Sequence, residues 1–149
     1  MKILIMISEL LETCEMQTSA DFQSLRVRNA SGADAVYEDW VLTSDGVPNV
    51  EDMIEEYMAD MKYALRTFMG AYSVDDGIDV ELNILNENVD EQAIRSKVRS
   101  YLKYRLLSWW YGYRDSDLSA TYEKKAQEML SAIFVYCTPV VGTLRSRYF

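Results

Sequence analysis

Apolar residues recur along this chain with two different spacings. From the start, Ile3, Ile7, Leu10, Leu11 and Cys14 follow an i, i+4, i+7, i+8, i+11 stripe, which predicts a helix over 3–16. Val50, Met53, Ile54, Tyr57, Met58, Met61, Ala64, Leu65 and Phe68 form one broad face and predict a helix over 50–69. Asn49 stands ready as its N-cap after Pro48, Glu51 and Asp52 suit the positive end of the dipole, and Gly70 stops it. The spacing then changes. Ile78, Val80, Leu82 and Ile84 alternate with polar residues, as in a half-buried strand. A helix over about 89–112 follows, with Asn88 as cap and Glu91 reaching back in a capping box. Gly112 to Ser116 is a polar turn. Leu118, Tyr122, Ala126, Met129, Leu130, Ile133 and Cys137 stripe a last helix over about 117–137, ended by Pro139.

Residues 17–48 break both rhythms. Leu25 and Val27 alternate with arginines, Asn29-Ala30-Ser31-Gly32 reads as a turn, and Trp40-Val41-Leu42 as a short strand before Ser44-Asp45-Gly46. Loops and a small hairpin are expected there. A short turn between two long helices implies an antiparallel pair. The expectation is therefore a mainly α fold. It is a bundle of about four helices with a long antiparallel C-terminal pair and a minor β element. It forms one domain over 1–149 with a flexible tail over about 139–149.

Composition removes most chemistries. There is no histidine, so no Ser-His-Asp or Cys-His nucleophile system exists. With Cys14 and Cys137 as the only cysteines, a four-cysteine zinc site cannot form in one chain. Both fall on apolar helical positions and read as small buried hydrophobes in a reducing, cytoplasmic setting. Neither common phosphate-cradling glycine loop occurs. Asp75, Asp76, Asp79 and Glu81 lack the spacing of a calcium loop and read as a solvated turn beside a strand. Glu55, Glu56 and Asp60 read as the wet face of their helix. The apolar run Ile3-Leu4-Ile5-Met6-Ile7 is too short for a signal peptide, and no stretch approaches a membrane span. The sequon Asn29-Ala30-Ser31 is then expected to be idle. No catalytic residue, metal, cofactor or small-molecule substrate is expected.

Three features point towards assembly. Residues 1–94 hold 5 basic and 20 acidic side chains, while residues 95–149 hold 10 and 4, within a net charge of −9. Such a split suits contact between unlike parts of two copies, or cancellation within one. Residues 101–113 hold Tyr101, Tyr104, Trp109, Trp110, Tyr111 and Tyr113. On a wheel, Ile94, Val98, Tyr101, Leu102, Leu106, Trp109 and Tyr113 share one face, while Tyr104, Leu107 and Trp110 point elsewhere. A helix apolar on several sides is central to its fold or covered by a neighbour. Arg105 sits in its apolar arc and needs a carboxylate partner or a path to the surface. The tail Thr143-Leu144-Arg145-Ser146-Arg147-Tyr148-Phe149 carries arginines and aromatics, the residue types that anchor interfaces. Arg99, Lys103, Trp110, Arg145, Arg147, Tyr148 and Phe149 are the interface candidates. The acidic chain and the packing demand on its aromatics argue against direct nucleic-acid binding.

Asp34-Ala35-Val36-Tyr37-Glu38-Asp39-Trp40-Val41-Leu42 leads to an acidic turn and an amphipathic helix. Trp109-Trp110-Tyr111 ends the third long helix, and Tyr122-Glu123-Lys124-Lys125-Ala126-Gln127-Glu128-Met129-Leu130 follows the polar turn. Over roughly 34–147 this order resembles small head–tail connector or adaptor proteins from the neck gene blocks of tailed phages and prophages, especially those of Bacteroides-type hosts. The tail departs from that pattern, ending in Tyr148-Phe149 instead of a proline-containing basic stretch. The resemblance implies a helical subunit that docks on portal or tail proteins and forms a homo-oligomeric ring. It also implies residence in the host cytoplasm during assembly and then in the virion neck. A different expectation is an acidic DNA mimic, in which 51–60 and 75–91 imitate phosphates and inhibit a DNA-binding protein.

Overall fold

The computed structural model describes residues 1–28, 40–86 and 88–139, with backbone alone for 25–28. Strand β1 (Lys2–Met6) runs directly into α1 (Ile7–Arg28). A 3-10 turn at Ser44–Gly46 precedes α2 (Val50–Leu65), and a second at Arg66–Phe68 precedes β2 (Met69–Val74). Strand β3 (Gly77–Leu82), α3 (Glu91–Tyr111) and α4 (Ser116–Cys137) complete the order. The fold is mainly helical with a small antiparallel sheet, as the periodicities predict. Helices α3 and α4 are antiparallel: Lys97 lies over the Tyr136 ring, Arg105 faces Glu123, and Ser108 and Ser119 exchange hydroxyl-to-carbonyl bonds.

The strand order is β1-β3-β2, so the earliest segment pairs with residues far along the chain. Lys2 sits opposite Glu81 and Met6 opposite Gly77. Ile3, Ile5, Ile78, Val80 and Leu82 point inward and are buried, while Leu4 and Met6 stay exposed. This corrects the helix expected over 3–16. Ile3 and Ile7 satisfy a helical spacing, but Ile3 and Ile5 also satisfy a period of two. The partner strand decides between them, because it buries both isoleucines and pairs their backbone. From Ile7 onward the helical reading holds, with Ile7, Leu10 and Cys14 buried.

α1 continues to Arg28, where loops were expected. No Gly or Pro interrupts 7–28, and Thr18 supplies a tertiary reason. Its hydroxyl donates to the Glu15 carbonyl at 3.0 Å and accepts the Leu42 N–H at 2.8 Å. Residues 40–43 hold no strand: Leu42 is buried as an irregular residue before the 3-10 turn. The turn expected at 29–32, the sequon at Asn29 and residues 34–39 lie outside the described residues.

α2 ends at Leu65, earlier than expected. Arg66 adopts φ 43, and the following 3-10 turn sends Phe68 out of the helix and Gly70 into a strand. Asn49 does occupy the N-cap, but with φ 53 and no side-chain cap bond. The capping box at Asn88 does not form either. Asp90 takes the N-cap of α3, and the Asn88 N–H instead turns back to the Asn86 side chain at 3.1 Å. At α4 the cap is made in full: Asp115 accepts the N–H groups of Asp117 and Leu118. The α4 stripe is as expected, with Tyr122, Ala126, Ile133 and Cys137 buried.

Candidate interaction surface

Helix α3 is central to the fold, packed against α4, α1, β1 and α2. Covering it on several sides rearranges the wheel. Leu107 and Trp110 are buried, whereas Trp109 is 39% and Tyr113 100% exposed. The Trp110 indole donates to the Trp40 carbonyl at 2.6 Å, so α3 holds the 40–47 segment from below as Thr18 holds it from α1. Arg114 lies over the Trp110 ring at 3.8 Å and donates to its carbonyl at 2.6 Å. A cation there suits the negative end of α3. Among the candidates on this helix, Trp110 thus serves the chain's own interior. Arg99 and Lys103 are half-buried, and the Lys103 ammonium lies 4.8 Å from the Tyr104 ring. Arg145, Arg147, Tyr148 and Phe149 lie outside the described residues.

Arg105 finds two carboxylates. It donates to Asp60 at 2.9 Å and approaches Glu123 at 4.0 Å. It also donates to the Tyr101 hydroxyl at 3.1 Å and lies 4.6 Å from the Tyr57 ring. Burial works against its charge, but Tyr101, Asp60 and Glu123 outweigh it and push its pKa up. Burial pushes the Tyr57 phenol up to about 12, against the pull of Arg105. One guanidinium thus faces two half-exposed acids, one from α2 and one from α4.

A second polar node was not singled out from the sequence. Asp21 of α1 accepts the Tyr111 hydroxyl at 3.0 Å, the Tyr122 hydroxyl at 2.5 Å and the Gln17 amide at 3.2 Å. The two phenol rings stack 5.8 Å apart. Burial first, and then Asp21, push both phenols well above their ordinary range. Three helices are tied through one carboxylate with its donors satisfied. The signal was present: Cys14, Thr18 and Asp21 continue the apolar stripe at i+4 and i+7, but it surfaces only if α1 runs past residue 16.

An apolar opening lies between α2 and α4. It is a groove of about 410 Å³ lined by Ala64, Gln127, Leu130, Ser131, Phe134 and Val135. Phe134 is 45% and Val135 66% exposed. Phe68 meets the Phe134 ring edge-on at 5.5 Å. One turn before Ala64 and Gln127 on their helices stand Asp60 and Glu123, so the groove is apolar at one end and acidic at the other. The sequence signal here is Ile133-Phe134-Val135-Tyr136, an unbroken apolar run on an otherwise two-faced helix.

The carboxylates expected at a solvated turn are in one. Asp75 and Asp76 form the β2–β3 turn, exposed, with Glu51 close by. Cys14 and Cys137 are buried and free. No described helix is long and apolar enough to cross a membrane. Compared with models of known protein families, with curated proteins and with solved structures, the chain matches none.

Proposed function

We propose that this chain is a structural subunit of the head–tail neck of a tailed phage or prophage, acting by self-assembly and docking without catalysis. The observation that carries the reading is the exposed apolar groove of α2 and α4, set in a chain whose two parts are oppositely charged. A ring needs one patch on each copy to meet a different patch on the next. An apolar groove with an acidic end, and a basic C-terminal part elsewhere in the chain, supply two unlike patches. The resemblance over 34–147 names the setting, with portal or tail proteins as partners. Host cytoplasm and then virion neck are the corresponding locations.

The test is the mass in solution, by size-exclusion with light scattering at low and high salt, with and without portal protein. The expected result is a self-association or portal complex that weakens with salt and in Arg145→Glu with Arg147→Glu. If the double variant assembles as well as the parent, the tail is not an interface anchor.

The acidic face of α2 favours one competing reading, the DNA mimic. Glu51, Asp52, Glu55, Glu56 and Asp60 are all exposed, with Asp75 and Asp76 near Glu51. That reading requires a monomer at all salt concentrations that binds a basic DNA-binding protein and is displaced by duplex DNA.

A further inference from the structure

The geometry points to a contact between copies of this chain in which Arg99 and Lys103 of α3 on one copy lie on the acidic N-terminal half of α2 on the next. The inference deepens the self-assembly part of the neck reading and rests on it, because it names two unlike patches of the kind that reading requires.

The acidic patch is the exposed first half of α2. Glu51 and Glu55 make one row on the helix surface, and Asp52 and Glu56 a second. The second row runs on from the acidic end of the groove, since Glu56 stands one turn before Asp60. Among the described residues, none of these four acids has a cation within ion-pair distance. The basic patch is a stripe along α3. Arg95, Arg99 and Lys103 follow at i, i+4 and i+8. Glu91 holds Arg95 at 3.0 Å, but among the described residues no carboxylate pairs with Arg99 or Lys103. Both are half-buried, so their stems are already packed and lose less freedom on docking than free side chains would.

The fold keeps the two patches of one copy apart. Arg105 is the residue of α3 that reaches Asp60 of α2. Arg99 and Lys103 lie about 120° and 160° round the helix from Arg105, at about 100° per residue. Lys103 stands beside α1, where the Cys14 thiol meets its carbonyl at 4.0 Å. The stripe is thus turned away from its own α2, and the α2 of another copy is its complement. An outside partner would account for one patch only, whereas a second copy accounts for both. Spacing agrees with charge. Arg99 and Lys103 are roughly 6 Å apart along their axis, as are Asp52 and Glu56, so two ion pairs form together. Because the patches differ, the contact repeats from copy to copy and closes a ring or extends a filament.

The experiment measures the self-association of the full chain by sedimentation equilibrium at low salt, about 0.05 M, where screening is weak. One variant carries Arg99→Glu with Lys103→Glu, the other Asp52→Lys with Glu56→Lys. Each alone is expected to weaken association roughly tenfold or more, because attraction becomes repulsion. An equimolar mixture is expected to regain it, since each reversed patch then meets its complement on the other variant. Far-UV circular dichroism shows whether each variant is folded. Where a reversal unfolds its chain, Arg99→Gln with Lys103→Gln, or Asp52→Asn with Glu56→Gln, takes its place and is expected to weaken association several-fold. Variants that associate as tightly as the parent overturn the inference and leave self-assembly standing. Two weakened variants whose mixture stays weak overturn the pairing of these two patches. A parent chain that is monomeric at every concentration also overturns it, while binding to portal protein still decides the neck reading.

Discussion

Asp21 shows how much one carboxylate does in this molecule. It takes two phenols and an amide, and each donor loses its partner if the carboxylate goes. Asp21→Ala is expected to lower the unfolding free energy by about 2 kcal/mol, read by urea denaturation, since orphaned buried donors cost about 1–3 kcal/mol. A loss below about 0.5 kcal/mol would mean that water replaces the carboxylate. The phenols add a pH dependence. Tyr57, Tyr111 and Tyr122 all have folded-state values raised above the ordinary 10. Above pH ~10 the unfolded chain releases these protons and the folded one keeps them, so stability falls as pH rises. Their contribution is complete below that point and is lost as pH climbs towards the folded values. Urea midpoints are therefore expected to drop between pH 10 and 12. A flat profile would sink this account.

At the scale of elements, what could be read in advance depended on whether the cause was local. The α4 stripe and the β3 alternation were legible because a single spacing fits each. The lower half of α1 was legible too. β1 was not, since Ile3, Ile5 and Ile7 satisfy both periods, and the arbiter is a strand more than seventy residues away. The end of α2 was misplaced because a glycine, Gly70, looked like the stop. The actual break is Arg66, a residue rarely found with positive φ, forced there as the chain turns into β2. Capping was legible by residue type and not by bond: Asn49 and Asp90 hold N-cap positions without side-chain capping, whereas Asp115 holds one with it. Asp115→Ala is accordingly expected to cost about 1 kcal/mol in the same urea assay. An Asp90→Ala change should cost less, because no side-chain bond is lost there. Equal costs would show that dipole and propensity, not the hydrogen bonds, set the helix starts.

For the whole molecule, the aromatic richness of 101–113 resolves into two jobs. Tyr101, Trp110 and Tyr111 fill the interior around a central helix, while Trp109 and Tyr113 face solvent. That division was invisible on a wheel, because α3 is covered from several directions and no single face is its inside. The partners of Arg105 were likewise beyond reach, as Asp60 and Glu123 come from two other helices. The groove was half-legible: the run 133–136 is there to be seen, but only the approach of Ala64 from α2 makes it concave. Charge at this scale bears on the assembly test. Contacts between oppositely charged exposed parts weaken as salt shortens the screening length from about 10 Å at 0.1 M to about 3 Å at 1 M. Contacts through the apolar groove do not. A self-association that survives 1 M salt would thus place the interface on exposed apolar side chains such as Phe134 and Val135 and not on the arginines.

The pairing of β1 with β3 also bears on how the chain is made. On a ribosome, β1 is made before its partner, which follows roughly 75 residues later, a wait of roughly 4–15 s at 5–20 residues per second. During that interval α1 and α2 have their local bonds, but Ile3 and Ile5 have nowhere to go. The nascent chain carries an unpaired strand rich in isoleucine, the kind of edge that invites pairing with the wrong neighbour. Slow synthesis or crowded polysomes should therefore lower the yield of folded protein.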